Sequence, residues 1–265
     1  MFGEPAPTQG DIHFTFLGFP VRIHPLFWLV AFILGLKAPS LPLVFVWVVA
    51  VFISILVHEL GHALVVRYFG MSPRITLYGM GGLTSYTPAY ARSMSGFSGY
   101  YQIAVSAAGP GAGFLLAAVV VGAVYLSGHS IVYIFKFPYG IIFFPVGIAN
   151  EILASFVFDL LFISIAWGLL NLLPVYPLDG GSISREVFLK LNPYEGIRWS
   201  LMLSFVTAAG IAVLVLAQTV RGAALARETG GTASGGSLYV ALLFGYLAYS
   251  SYTMLTIYTR RRPPY

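Results

Sequence analysis

The sequence predicts an all-α polytopic membrane protein, with about six transmembrane helices and a short membrane-associated β-hairpin. Three observations predict it. Of the 265 residues, 58% are hydrophobic and only 9% are charged, whereas an ordinary soluble domain carries about 25% charged residues. Apolar runs of span length recur along the chain; Leu41–Val57, for one, has no charge. Between two of these runs, Arg74–Tyr86 reads as two short β stretches around Gly79, Gly81 and Gly82. That is a hairpin signal, with a plain interfacial loop as the alternative.

Composition excludes several classes. The chain has no cysteine, so neither a disulfide framework nor a Cys-based metal site is available. A net charge of +5 needs no nucleic-acid partner, because positively charged cytoplasmic loops account for it. The stretches outside apolar runs are too short for an independent core, so residues 1–265 read as one transmembrane domain in a lipid bilayer. Glu4, Asp11 and the polar residues near them do not form a cleavable signal.

The elements follow in order. Phe14–Ile23 alternates weakly, as a short strand at the membrane surface would. The first span, about 25–38, is short; Phe27 and Trp28 suit an interfacial anchor. The second runs over about 41–69, and Arg67 marks its exit. The third, about 103–126, opens with Ser106-Ala-Ala-Gly109-Pro110-Gly111-Ala-Gly113, small residues that permit close helix approach. Residues 127–149 read as a loop. The fourth span, about 152–173, contains Asp159, an acid that must pair or lie near water. It breaks at Asn171-Leu-Leu-Pro174-Val-Tyr-Pro177-Leu-Asp179-Gly180-Gly181. Residues 182–198 form a polar segment, 199–220 the fifth span, 221–236 a Gly/Thr/Ser loop and 238–258 the sixth span. Lys and Arg fall ten to four on the two sides, with Arg22, Arg67, Arg74, Arg92, Arg185, Lys190, Arg198, Arg260, Arg261 and Arg262 on the richer one. By the positive-inside rule both termini are cytoplasmic.

The second span carries the chemistry. His58, Glu59 and His62 interrupt an apolar run, where unpaired polar groups cost several kcal/mol. On a helix, residues i and i+4 share a face, so His58 and His62 can grip one zinc ion while Glu59 acts as general base. The helix break supplies Asp179, well placed as a third ligand, because broken helix at membrane depth is tolerated only against protein or a water-filled cavity. The positive-inside orientation puts His58 and Asp179 at the same end of their spans.

On these two motifs, His58-Glu59-Leu60-Gly61-His62 and Asn171 to Gly181, the sequence resembles the site-2 proteases, the intramembrane zinc metalloproteases. Gly18-Phe-Pro-Val-Arg-Ile-His-Pro25 and the Gly-rich hairpin region also look like compact members, with no sign of an inserted PDZ or appended CBS domain. The resemblance implies one Zn²⁺ per chain on His58, His62 and Asp179, with Glu59 activating the water. It implies that Asn171 hydrogen-bonds within the site and steadies the oxyanion. It implies a hairpin at about 74–86 that pairs with an unwound substrate, a single-span membrane protein cut by regulated intramembrane proteolysis. The setting it suggests is the cell membrane of a prokaryote. Two positions depart from the family pattern: Gly113, where many members have Asn, and Ser182, where many have Arg. The alternative is a metal-ion transporter or channel with His58, His62 and Asp179 as a transit site; adjacent Glu59 and a one-sided polar site argue against it.

Overall fold

The computed structural model describes residues 4–88, 99–136, 140–229 and 238–260. They fall into two compact units, residues 1–97 with 104–171 and residues 98–103 with 172–265.

The first unit begins with strands β1 (Ile12–Phe16) and β2 (Phe19–Ile23). Leu17 and Gly18 join them with φ of 51° and 79°, the paired positive values of a tight two-residue hairpin turn. Alternation in β2 turns Phe19, Val21 and Ile23 inward. Helix α1 (Pro25–Gly35) starts at once, capped by the His24 ring, whose Nδ1 accepts from Leu26 N–H at 3.2 Å. Helix α2 (Leu41–Tyr68) follows. Gly35 lets the two helices close together, since a Cβ there would lie 2.7 Å from Trp47, whose indole donates to the Ala31 carbonyl at 3.2 Å.

After α2 come β3 (Met71–Tyr78) and β4 (Gly81–Pro88), a hairpin as the Gly-rich stretch suggests. The sheet order is β1-β2-β3-β4, with β2 and β3 parallel (Val21 opposite Ile75) and β4 at an edge. Phe19, Val21, Ile23, Ile75 and Leu77 form one core with Phe27, Val51, Ile55 and Leu60. The sheet is thus seated on the half of α2 that carries the histidines. Helices α3 (Gly99–Leu126) and α4 (Glu151–Asn171) complete this unit, apart from the first residues of α3.

Between α3 and α4, the stretch expected as a loop is instead a second hairpin, β5 (Ser130–Lys136) and β6 (Gly140–Val146). Its β-branched and aromatic residues give it a packing face: Ile131 and Phe143 join Val157 and Leu161, and Phe144 stacks on Phe158 at 5.2 Å.

The second unit holds α5 (Asp179–Leu191), α6 (Gly196–Thr229) and α7 (Leu238–Arg260). The polar segment 182–198 is therefore mostly helix, strongly amphipathic. Helix α6 also runs on through 221–229, part of the expected loop. Ala, Leu and Arg there are good helix formers, and residues 230–236 of that loop lie outside the described residues. So do Arg92, Arg261 and Arg262 of the charge count.

Five helices among the described residues are long and apolar enough to cross a membrane, α2, α3, α4, α6 and α7. The first expected span ends at Gly35, and its 11 residues rise only about 16 Å at 1.5 Å each, roughly half of a hydrocarbon core.

An N-terminal strap ties the sheet down. Arg22 pairs with Glu4 at 3.3 Å and Asp11 at 3.2 Å and also donates to the Pro5 carbonyl. Glu4 accepts from Thr76 at 2.8 Å, and Thr76 sits opposite Arg22 in the β2–β3 register. The Thr8 hydroxyl, donating to Asp11, is the first cause that holds the Asp11 carboxyl below its ordinary value; the nearby Arg22 charge adds to it. Because that pKa is depressed, the strap should hold through neutral pH and release only as pH falls below the usual carboxylate range. Arg22→Gln should speed amide exchange in residues 4–11 and in β1 at neutral pH. Unchanged exchange would show that the strap is not held by this ion cluster.

Candidate functional site

Three residues of the expected site sit on one buried stretch of α2. His58, Glu59 and His62 are 3%, 4% and 7% exposed. Their i, i+4 spacing stacks the imidazoles, with ring centres 4.9 Å apart and planes at 77°. The two Nε2 atoms face each other at 3.1 Å.

The neighbours fix how those rings are used. His62 Nδ1 lies 2.7 Å from the Val105 carbonyl. A carbonyl only accepts, so Nδ1 carries the hydrogen and Nε2 of the neutral ring presents its lone pair. A backbone carbonyl behind the ring is the usual way a metal-binding histidine is oriented.

That carbonyl belongs to α3, and small residues bring it there. A Cβ on Gly61 would lie 2.3 Å from the Ala108 carbonyl oxygen and 2.7 Å from Ala112. Gly61 is therefore required for α3 to lie this close to α2. A Cβ on Gly109 would lie 2.2 Å from His62 Nε2 and 2.6 Å from His58 Nε2. Gly109 thus keeps the space in front of both nitrogens clear. The small-residue stretch reads as packing in the sequence; Gly109 in it also borders the histidines, which only three-dimensional proximity reveals.

The donor set fits a metal ion. Two nitrogens each about 2.0–2.1 Å from a tetrahedral zinc lie roughly 3.3 Å apart, close to the spacing observed. Gly109 adds no side chain to the space before them, and the Val105 carbonyl sets the tautomer a metal needs.

Glu59 points to the sheet. Thr84 of β4 donates to Glu59 Oε2 at 2.7 Å and lies 3.1 Å from the Glu59 carbonyl. A Cβ on Gly82 would meet Glu59 Cγ and Oε1, both at 2.4 Å. Residues 82 and 84 share one face of the strand, so β4 brings a hydroxyl and a bare backbone to the carboxylate.

The other expected residues are placed as follows. Asn171 ends α4, is buried, and donates from Nδ2 to the Trp167 carbonyl at 2.9 Å. Asp159 lies half-buried in α4 and belongs to no group of metal-ligating residues among those described. At Gly113, a Cβ would lie 3.1 Å from the Ser164 carbonyl oxygen. This contact is tight, so a side chain at residue 113 would require the neighbouring α4 backbone to give by a few tenths of an ångström. In the second unit, Asp179 opens α5. A Cβ on Gly180 would lie 2.1 Å from the Leu172 carbonyl oxygen, and one on Gly181 2.6 Å from Tyr176 N. Both glycines are needed for the chain after the Pro174 break to fold back on the start of α5. Tyr176 N–H donates to Ser204 Oγ at 2.8 Å, and Ser204 bonds Ser251 at 2.7 Å, which anchors that turn to α6 and α7.

A family model described as Peptidase family M50 matches residues 46–217. A zinc metalloprotease of Methanocaldococcus jannaschii is 27% identical over 184 residues, 68% of this chain and 46% of that protein. The chain thus spans about half the length of that curated relative. The solved structure of a site-2 protease from the same organism matches with a TM-score of 0.50 at 21% identity, over 92% of this chain and 95% of that one. At that identity the match speaks for the fold.

Gly109→Ala should push a methyl group into the two imidazoles and abolish retention of a divalent metal through purification. Gly111→Ala is the control, because a Cβ there meets nothing within 4 Å beyond its own stretch of helix. Equal metal content in the two variants would refute the reading of Gly109 as the clear side of the site.

Proposed function

Because the chain belongs to peptidase family M50 and is an integral membrane protein, we propose that it is an intramembrane zinc metalloprotease that cuts single-span membrane proteins within their transmembrane segments. The observation that carries this reading is the His58–His62 pair with its nitrogens 3.1 Å apart and the Glu59 carboxylate on the next residue.

His58 and His62 would hold the ion, with His62 oriented by the Val105 carbonyl, and Asp179 would be the third ligand. The family motif and the glycine-dependent turn that begins α5 at Asp179 support that third assignment. When bound, zinc supplies Lewis acidity toward a peptide carbonyl and lowers the pKa of a water. Glu59 takes the proton of the attacking water and returns it to the leaving amine. Asn171 uses one amide hydrogen on Trp167; its second is available to the oxyanion that forms on the substrate.

A transmembrane substrate hides its carbonyls in i→i−4 hydrogen bonds, so it must unwind before it can be cut. The freed groups need partners. Strand β4 is at an edge of the four-stranded sheet, carries Thr84 beside Glu59, and can accept an extended segment as one more strand. This reading places cleavage and backbone pairing next to each other, and it makes regulated intramembrane proteolysis the physiological setting. Both termini are cytoplasmic in this scheme, in the plasma membrane of a prokaryote, as the charge count supports.

The test is co-expression with a panel of tagged single-span proteins. Wild type should release a fragment from at least one of them. Glu59→Gln should retain about one zinc per chain yet cleave about 10²–10⁴-fold more slowly. His58→Ala and Asp179→Ala should lose the metal. A Glu59→Gln variant that cleaves at the wild-type rate would rule out Glu59 as the base, and zinc retained in full by Asp179→Ala would rule out the third ligand.

A further inference from the structure

We propose that Thr84 of β4 is the positioning residue of the general base: it ties down Glu59 Oε2 and leaves Oε1 as the oxygen that takes the proton. This rests on the reading of Glu59 as the base.

Glu59 is 4% exposed in an apolar helix, where an unsatisfied carboxylate is costly and a loosely held one would seek any donor nearby. A threonine hydroxyl has one hydrogen to give. Of its two acceptors, Glu59 Oε2 at 2.7 Å is nearer than the Glu59 carbonyl at 3.1 Å, so the carboxylate receives the bond. Thr84 is itself held on both counts. Its backbone is paired opposite Ile75 in the β3–β4 ladder, and its branched side chain has few χ1 choices.

The other oxygen faces a different environment on the same strand. Oε1 lies against Gly82, where a Cβ would stand at 2.4 Å. Any side chain at residue 82 would press on the carboxylate or turn it. The pair Gly82 and Thr84, two residues apart on one face, therefore divides the labour between the two oxygens. The same strand forms one edge of the four-stranded sheet among the described residues. A substrate that adds to β4 thus registers on the element that holds the base, so strand pairing and base alignment are coupled through Thr84.

The experiment compares Thr84→Val, which removes the hydroxyl at nearly constant shape, with Thr84→Ser, which keeps it. Thr84→Ala takes the place of Val if that variant does not accumulate. Three quantities are read on purified protein: zinc content, thermal midpoint, and kcat and KM on a cleaved substrate. Zinc content should match wild type in both variants. Thr84→Val should lower kcat by roughly 10–100-fold, the scale of a misaligned catalytic group, with KM within about threefold. Thr84→Ser should keep kcat within about threefold of wild type. In a melting cycle with Glu59→Ala, the shift caused by Thr84→Val should vanish once Glu59 is absent. Additive melting shifts would overturn the Thr84–Glu59 bond whether or not the chain is a protease. Undiminished kcat in Thr84→Val, or equal damage in Thr84→Ser, would overturn the positioning role. A wild type that cleaves none of the panel would refute the base reading on which the catalytic half depends, and the melting cycle would still decide the bond.

Discussion

Two imidazole nitrogens 3.1 Å apart, buried in an apolar helix, set the terms for the first unit. Two bare lone pairs cannot face each other at that distance in a medium without water. A hydrogen or a metal ion must be shared between them, and the surroundings favour the metal. The Val105 carbonyl takes the Nδ1 hydrogen of His62, and Gly109 leaves the far side open. Both depend on Gly61, since any side chain there would drive α3 away from α2. In lipid there is little hydrophobic gain from burying one apolar helix against another, so close contact between small residues carries the association. Here the same close contact builds the site.

The Glu59 carboxylate is governed by a different part of the fold. Among the described residues, β4 holds the Glu59 carboxylate, through Thr84 and Gly82. The sheet is in turn fixed to α1 and α2 by the Phe19, Val21, Ile75 and Leu77 core, and at its two central strands by the Arg22 cluster. The two histidines and Glu59 are thus neighbours in sequence but are supported by different elements, a helix and a strand. This separation lets a contact along the strand reach Glu59 without touching the histidine pair.

Much of this was legible in the sequence, for physical reasons. Histidines four apart in an uncharged run carry a cost that only a site repays, and glycines at 79, 81 and 82 mark a turn whatever surrounds them. The Asp179-Gly-Gly break announces itself by placing proline and glycine inside an apolar run. What stayed hidden depended on contacts between distant segments. Thr84 is an ordinary strand residue until β4 lies beside Glu59, and Gly109 is an ordinary packing glycine until α3 lies against the histidines. The β5–β6 hairpin escaped because an apolar stretch with Gly and Pro has no clear period of its own; packing on α4 makes it a sheet. The end of α6 escaped because 221–236 reads as one Gly/Thr/Ser loop, while the helix formers at its start carry the helix through to Thr229.

X-ray absorption at the zinc edge, on full-length protein purified without added chelator, tests the shared-metal account most directly. The account predicts a four-coordinate shell of nitrogen and oxygen only, with the multiple-scattering signature of two imidazoles at about 2.0–2.1 Å. A shell that contains one imidazole or none, or protein that carries no stoichiometric metal when freshly isolated, would contradict it.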